Sequence, residues 1–283
     1  CCLFITEGES PLSYLRKKFG LIENAYDTNG FMPFKGKLLN VMNADELRID
    51  ANEEIAEFKK MMGLEEDVDY SIEENYKKLR YGYVVILTDA DNDGNHIKGL
   101  FINFIYCRFP SLLERGMILH FKTPILRLKY QGKKLKFFSE IDYRRWVEED
   151  SVRNNIKCEY FKGLGSSTDA EIADDHNNPK TVVCILDDKA PDKIRLMFDS
   201  VMSNCRKEWI TNHKHIFNID EDEDENEKTE TISQFIEKDF IEYAKTNIWR
   251  SIPRIDGLKN SIGKIIYATY LHWSNKNGNW LTG

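Results

Sequence analysis

The chain has no uninterrupted apolar run of the roughly 18 to 20 residues that a bilayer-spanning helix needs. It also has no basic leader followed by a small-residue cleavage site. Its opening, Cys1-Cys2-Leu3-Phe4-Ile5-Thr6-Glu7, therefore does not read as a signal peptide. It reads as a buried strand that starts abruptly, as a piece of a longer protein is expected to start. Cysteine is scarce and scattered, with 6 in 283 residues and no Cys-x-x-Cys spacing, so a zinc framework is poorly supported. Cys158 and Cys184 lie in apolar, strand-like runs and are expected to be buried free thiols, which points to a reducing, intracellular setting. Nucleotide-binding glycine loops are missing as well. Gly163-Leu164-Gly165-Ser166-Ser167-Thr168 lacks the third glycine of G-x-G-x-x-G, and Gly30 to Lys37 has the wrong spacing for a P-loop and runs into Leu38. Each segment does set lysine beside glycine, which suits a backbone brought close to a phosphate.

Net positive charge is also absent: the formal net charge is −7. Its placement matters more than its sign. Residues 220–230 hold eight acids and one base, so this run alone accounts for the whole excess. Such a run reads as a solvated linker. The rest of the chain is neutral and can carry a basic face. The best candidate is residues 121–138, with Lys122, Arg127, Lys129, Lys133, Lys134 and Lys136 and no acid.

The pattern along the chain is strand then helix, repeated. Strands are expected at 1–6, 83–88, 156–161 and 181–186, and two more in 117–138 turning at Gln131-Gly132. Ser10-Pro11 opens a helix with Ser10 as cap. Residues 21–43, with Asn29-Gly30 and Pro33, read as loop. Helical spacing follows at 44–62, with one short helix more before 80. A long amphipathic helix follows Gly94, divided or kinked at Pro110. Further helices are expected at 140–150, 168–175, 191–215, 231–245 and from about 261. The fold class is α/β with a largely parallel sheet flanked by helices. Such sheets bind ligands at the carboxyl ends of their strands, an edge that Glu7 and Asp89 would share despite 82 positions between them.

The most informative stretch is Thr88-Asp89-Ala90-Asp91-Asn92-Asp93-Gly94, which follows the apolar run Tyr83–Leu87. In extended backbone alternate side chains point the same way, so Asp89, Asp91 and Asp93 can converge. Three carboxylates held that close repel one another unless a divalent cation lies between them. An EF-hand loop is disfavoured because its twelfth position would be Leu100, where a bidentate Glu is needed, and because a strand precedes it. A dehalogenase-type phosphatase is disfavoured by Asp93, where Thr or Val is usual. An acidic turn capping a helix needs one aspartate, not three.

Leu3-Phe4-Ile5-Thr6-Glu7-Gly8-Glu9-Ser10 with Thr88–Gly94 resembles the Toprim signature of topoisomerases, bacterial primases and certain nucleases. Pro33-Phe34-Lys35-Gly36-Lys37-Leu38-Leu39-Asn40-Val41, His96-Ile97-Lys98-Gly99-Leu100, Tyr160–Ser167 and Asp256-Gly257-Leu258-Lys259 resemble segments of eukaryotic- and viral-type type II DNA topoisomerases. Asn92 stands where those enzymes have histidine, and the proline and Gln-Arg pair usual after Lys259 are absent.

The resemblance implies a Rossmann-like Toprim domain over 1–218, an acidic linker over 219–230, and a helical segment over 231–283 that begins the winged-helix DNA gate. It implies a magnesium site, with manganese as a possible substitute, at Glu7, Asp89, Asp91 and Asp93, and Glu7 as general acid or base. It implies contacts to double-stranded DNA from Lys35, Lys37, His96, Lys162 and Lys259. The parent enzyme would be an ATP-dependent homodimer of nucleus, cytoplasm or viral factory, with its tyrosine nucleophile outside this chain. A stand-alone Toprim nuclease or DNA-binding module is the alternative. The lysine-glycine segments disfavour a primase.

Overall fold

The computed structural model describes residues 1–138, 140–149, 159–160, 164, 167–177, 179–212, 228–241 and 243–244. The expected helix from 261, Cys158, and the sites Lys162 and Lys259 lie outside the described residues, as does most of the acidic run.

The N-terminal half alternates strand and helix. β1 (Cys2–Glu7) leads to α1 (Glu9–Phe19), α2 (Ala25–Thr28), β2 (Asn29–Phe34), α3 (Glu46–Asp50), α4 (Glu53–Met62), α5 (Glu73–Tyr76) and β3 (Tyr83–Leu87). Then come α6 (Asn92–Arg108), α7 (Pro110–Glu114) and β4 (Ile118–Phe121). β5 (Leu126–Tyr130) and β6 (Lys133–Phe137) form the expected hairpin, followed by α8 (Glu140–Glu148), β7 (Glu159–Tyr160) and α9 (Asp169–Asn177). The remainder is β8 (Thr181–Ile185), α10 (Ala190–Phe198), α11 (Ser203–Asn212), β9 (Thr229–Thr231) and α12 (Ile232–Phe235), whose last turn widens to π geometry over Ile236–Phe240.

The main sheet has the order β2-β1-β3-β4-β8-β9, and a second sheet has the order β6-β5-β7. β2, β1, β3 and β4 run parallel, while β8 is antiparallel to β4. Parallel strands buried on both faces need apolar side chains throughout, as Val84–Leu87 provides. α6 fills one face of the sheet. Phe101 and Phe104 pack edge-on against Phe58 of α4, within a core that also takes in Ile232, Phe235 and Phe240. α1 covers the other face through Tyr14, Leu15 and Phe19.

Several expectations change. Residues 21–43 are not simply loop: they hold α2, β2 and a 3₁₀ turn at Val41–Asn43. Asn29-Gly30 and Pro33 read as breakers, but β2 is an edge strand, where proline's missing N–H is tolerated. α1 begins at Glu9, and Gly8, not Ser10, takes the cap position with φ 68° and ψ −159°, a conformation open essentially to glycine alone. Residues 44–62 form two helices, as do 191–215 over their described part, and 117–138 holds three strands. α6 starts at Asn92, so Asp93 lies on a helix and the extended alternation fails beyond Asp91.

The acidic run also changes at its end. Thr229–Thr231 pairs with β8 as an edge strand, and Ile232–Phe240 packs on α6. A boundary at 230/231 between a linker and a separate helical segment therefore does not fit the described residues. Glu230 is not solvated. Its side chain is 11% exposed and bonds Lys98 Nζ at 2.5 Å and Lys122 Nζ at 2.9 Å.

Candidate metal centre at the sheet edge

Glu7 and Asp89 meet for a topological reason. β1 and β3 are adjacent and parallel, with Thr6 level with Leu87, so Glu7 ends one strand where Thr88 leaves the next. β2 lies on the other side of β1, which makes this edge the point where the chain switches direction across the sheet. The loop from Thr88 to Asp91 then turns into α6. Gly94 permits the turn, since a Cβ there would overlap the Asp89 carbonyl oxygen and press on Thr88.

Each carboxylate has its own environment. Burial, then the fields of Asp91, Asp89 and Asp93, pushes Glu7 up to about 6, against the opposing pull of Lys37. Asp89 is half-buried and accepts the Leu164 N–H at 2.9 Å. Burial raises its pKa, the Leu164 bond opposes, and Asp91 adds to the rise. Asp91 caps α6 by accepting the Gly94 N–H at 2.8 Å. Asp93 takes Lys37 Nζ at 2.8 Å. The three aspartates are close enough to raise Glu7 together, but each has a protein donor. Among the described residues no three His, Cys, Asp or Glu side chains gather closely enough to hold a metal ion. The donor set, all carboxylate oxygen, suits a hard divalent cation; the side chains as they stand do not converge on one point.

The expected phosphate contacts divide. Lys37 lies at the centre through Asp93. Lys35 points instead to Glu53 at 3.6 Å, with its backbone N–H on Glu54 at 2.6 Å. His96 is partly buried, its ring stacked on Tyr243 at 3.9 Å with an 18° interplanar angle. Burial and then Lys37 push its pKa down to about 4, against Asp93, so the imidazole is neutral at pH 7. Its Nδ1 is buried without a hydrogen-bond partner.

Two contributors escaped the sequence reading. Leu164 sits in a segment singled out for phosphate contact, yet its N–H serves Asp89. Tyr243 also lies under Lys37, whose Nζ is 5.3 Å from the ring centroid. Only the π turn at 236–240 carries it there, and no local signal marks it.

The Toprim domain model matches residues 2–123, and the model for the C-terminal associated domain of Toprim matches residues 121–248. Residues 2–123 thus belong to the Toprim domain family, and residues 121–248 to the domain associated with it. Its Toprim half carries Glu7 and the aspartates, and the associated half carries Leu164, Glu230 and Tyr243. The chain is 37% identical over 278 residues to mitochondrial DNA topoisomerase 2 of Dictyostelium discoideum, covering 95% of this chain and 21% of that protein. It is likewise 37% identical over 278 residues to DNA topoisomerase 2 of Saccharomyces cerevisiae, covering 95% and 19%. The crystal structure of the Plasmodium falciparum topoisomerase II DNA-binding, cleavage and re-ligation domain matches 88% of this chain and 34% of its own, with TM-score 0.76 and 33% identity. The chain spans about a fifth of the length of those relatives. Among its described residues no helix is long and apolar enough to cross a membrane.

Proposed function

We propose that the chain is the metal-binding half of a DNA cleavage centre in an ATP-dependent type II topoisomerase, acting on double-stranded DNA in a homodimer. The observation that carries this reading is the set of four coupled carboxylates at the sheet edge, with Glu7 raised to about 6. Glu7, Asp89, Asp91 and Asp93 would hold Mg²⁺, or Mn²⁺ in its place. When bound, the cation offsets the charge that develops at the scissile phosphate.

The chain's own residues do the rest. Glu7 titrates close enough to neutrality to give or take the proton of the 3′ oxygen that leaves and returns. Lys37, paired with Asp93, and neutral His96 would contact the phosphate, and Lys35, Lys162 and Lys259 would extend the contact along the duplex. The tyrosine that attacks the phosphate comes from the DNA gate, outside this chain. Cell compartment follows the parent enzyme, in nucleus, cytoplasm or viral factory.

The test uses the full-length enzyme. Glu7→Gln and Asp89→Asn should each remove most magnesium-dependent cleavage while the circular dichroism spectrum stays native. Cleavage at the unaltered rate in either variant would sink the assignment. DNA ends released with no protein attached would favour a stand-alone nuclease.

A further inference from the structure

The β6-β5-β7 sheet carries charge that the carboxylate centre does not use. Alternation separates its two faces. Leu126, Leu128, Tyr130, Leu135 and Phe137 make the apolar face, closed by Trp146 and Tyr143. The other face is cationic, because the register sets Arg127 across from Lys136 and Lys129 across from Lys134. Like charges directly opposite on a ladder repel.

The inner pair is relieved from within the chain. Arg127 reaches Asp175 at 2.5 Å, and Lys136 reaches Asp174 at 2.5 Å and Asp175 at 2.8 Å. Among the described residues the outer pair has no such relief. Lys129 and Lys134 are exposed, and no described carboxylate forms an ion pair with either. Asp174 feels Lys134, but Lys136 already holds it. Lys133 is exposed beside them, next to a tight turn at Gln131 (φ 48°) and Gly132 (φ 79°).

We propose that Lys129 and Lys134, with Lys133 at the turn, form a contact for the phosphodiester backbone of double-stranded nucleic acid, apart from the carboxylate centre. A small anion would need buried donors around a pocket, and these three lysines stand in the open. An extended polyanion suits them, because it neutralises both strands' charges at once and releases its counterions. Nucleic acid is favoured over an acidic protein by the third strand. β7 ends at Tyr160, four residues before Leu164, whose N–H holds Asp89. The strand that completes the cationic sheet thus leads within four residues to a backbone donor of the centre proposed for phosphodiester chemistry, and the choice of partner rests on that reading.

The test is duplex binding by fluorescence anisotropy, with a 30-base-pair DNA in EDTA, across a salt series. Two lost phosphate contacts should make the slope of log K against log salt shallower by roughly 1.8 in the Lys129→Gln/Lys134→Gln variant, or about 60-fold weaker binding at 0.1 M salt. The apolar face is untouched and a like-charge pair is removed, so its melting temperature should be no lower than that of the unaltered chain. Lys77→Gln/Lys78→Gln, exposed just past the end of α5, is the control and should keep the slope. An unchanged slope, or an equal loss in the control, overturns the proposal. So does unchanged DNA binding together with lost binding of poly-glutamate, which would assign the tip to an acidic protein. With no metal present, the outcome is independent of whether the carboxylates bind magnesium; Glu7→Gln, tested for lost cleavage in the full-length enzyme with magnesium, should keep this slope in EDTA.

Discussion

Glu230 offers the sharpest test of how the Toprim half is joined to its associated half. Lys98, on α6, is completely buried, and its ammonium has three neighbours: Glu230 Oε2 at 2.5 Å, His120 Nδ1 at 3.1 Å and the Phe235 ring face at 3.9 Å. Only Glu230 carries compensating charge. Removing one partner of a buried pair leaves the other charge without an answer, at a cost of about 3 to 5 kcal/mol. Glu230→Leu should fall within that range. Glu230→Gln should cost about 3 kcal/mol or less, since an amide oxygen still accepts one bond and the Phe235 contact survives. With a urea m-value of about 2 to 3 kcal/mol/M, the Leu variant's midpoint should fall by more than 1 M. The double variant Lys98→Met/Glu230→Leu removes both charges and should recover most of that loss.

The pH dependence has a definite sign. Burial alone would raise the Glu230 carboxyl; Lys98, then Lys122 and His120, override it and hold the pKa well below the usual carboxylate range. A depressed carboxyl contributes stability above its unfolded value of about 4.3, and that contribution fades as pH falls through the folded value. The variant penalty should therefore be full at pH 7 and pH 5.5 and shrink only in stronger acid. Burial and the neighbouring Lys98 also push partly covered His120 well below its normal value, so the parent should lose stability as pH falls below about 6.5. A Glu230→Leu penalty under 1 kcal/mol, or single effects that simply add in the double variant, would refute the buried-pair argument.

Other outcomes follow from the same geometry. Glu7→Gln removes a carboxylate that burial and its neighbours disfavour; discounted for its half exposure, this should stabilise the metal-free chain by about 1 kcal/mol above pH 6, an effect absent at pH 4, in urea unfolding. The same variant should lose most of any rise in melting temperature that magnesium gives the unaltered chain. Gly99→Ala would place a Cβ 2.5 and 2.7 Å from Phe240 ring carbons, so it should cost about 1 to 3 kcal/mol by thermal unfolding. Tyr243→Ala uncovers His96 and should lift its pKa from about 4 toward 6.5 in a proton-NMR titration; no movement would mean the stacking does not bury it.

Sequence alone determined whatever is written locally. The apolar run Tyr83–Leu87 reads as a strand, and Gln131-Gly132 sets a hairpin turn, where both residues take positive φ. The pairing of Glu7 with Asp89 was legible too, since parallel strands of this fold class present their carboxyl ends on one edge. Tertiary structure decided the rest. Asp93 turned to Lys37 because helix α6 begins one residue ahead of it, and a side chain's direction changes when the period changes from 2 to 3.6. Glu230 looked like the last acid of a solvated run, yet it is held in the core by Lys98. That cannot be read from charge spacing, because a carboxylate 132 residues away in sequence is in contact only once the sheet has formed. The fold chose which neighbour each of these carboxylates keeps.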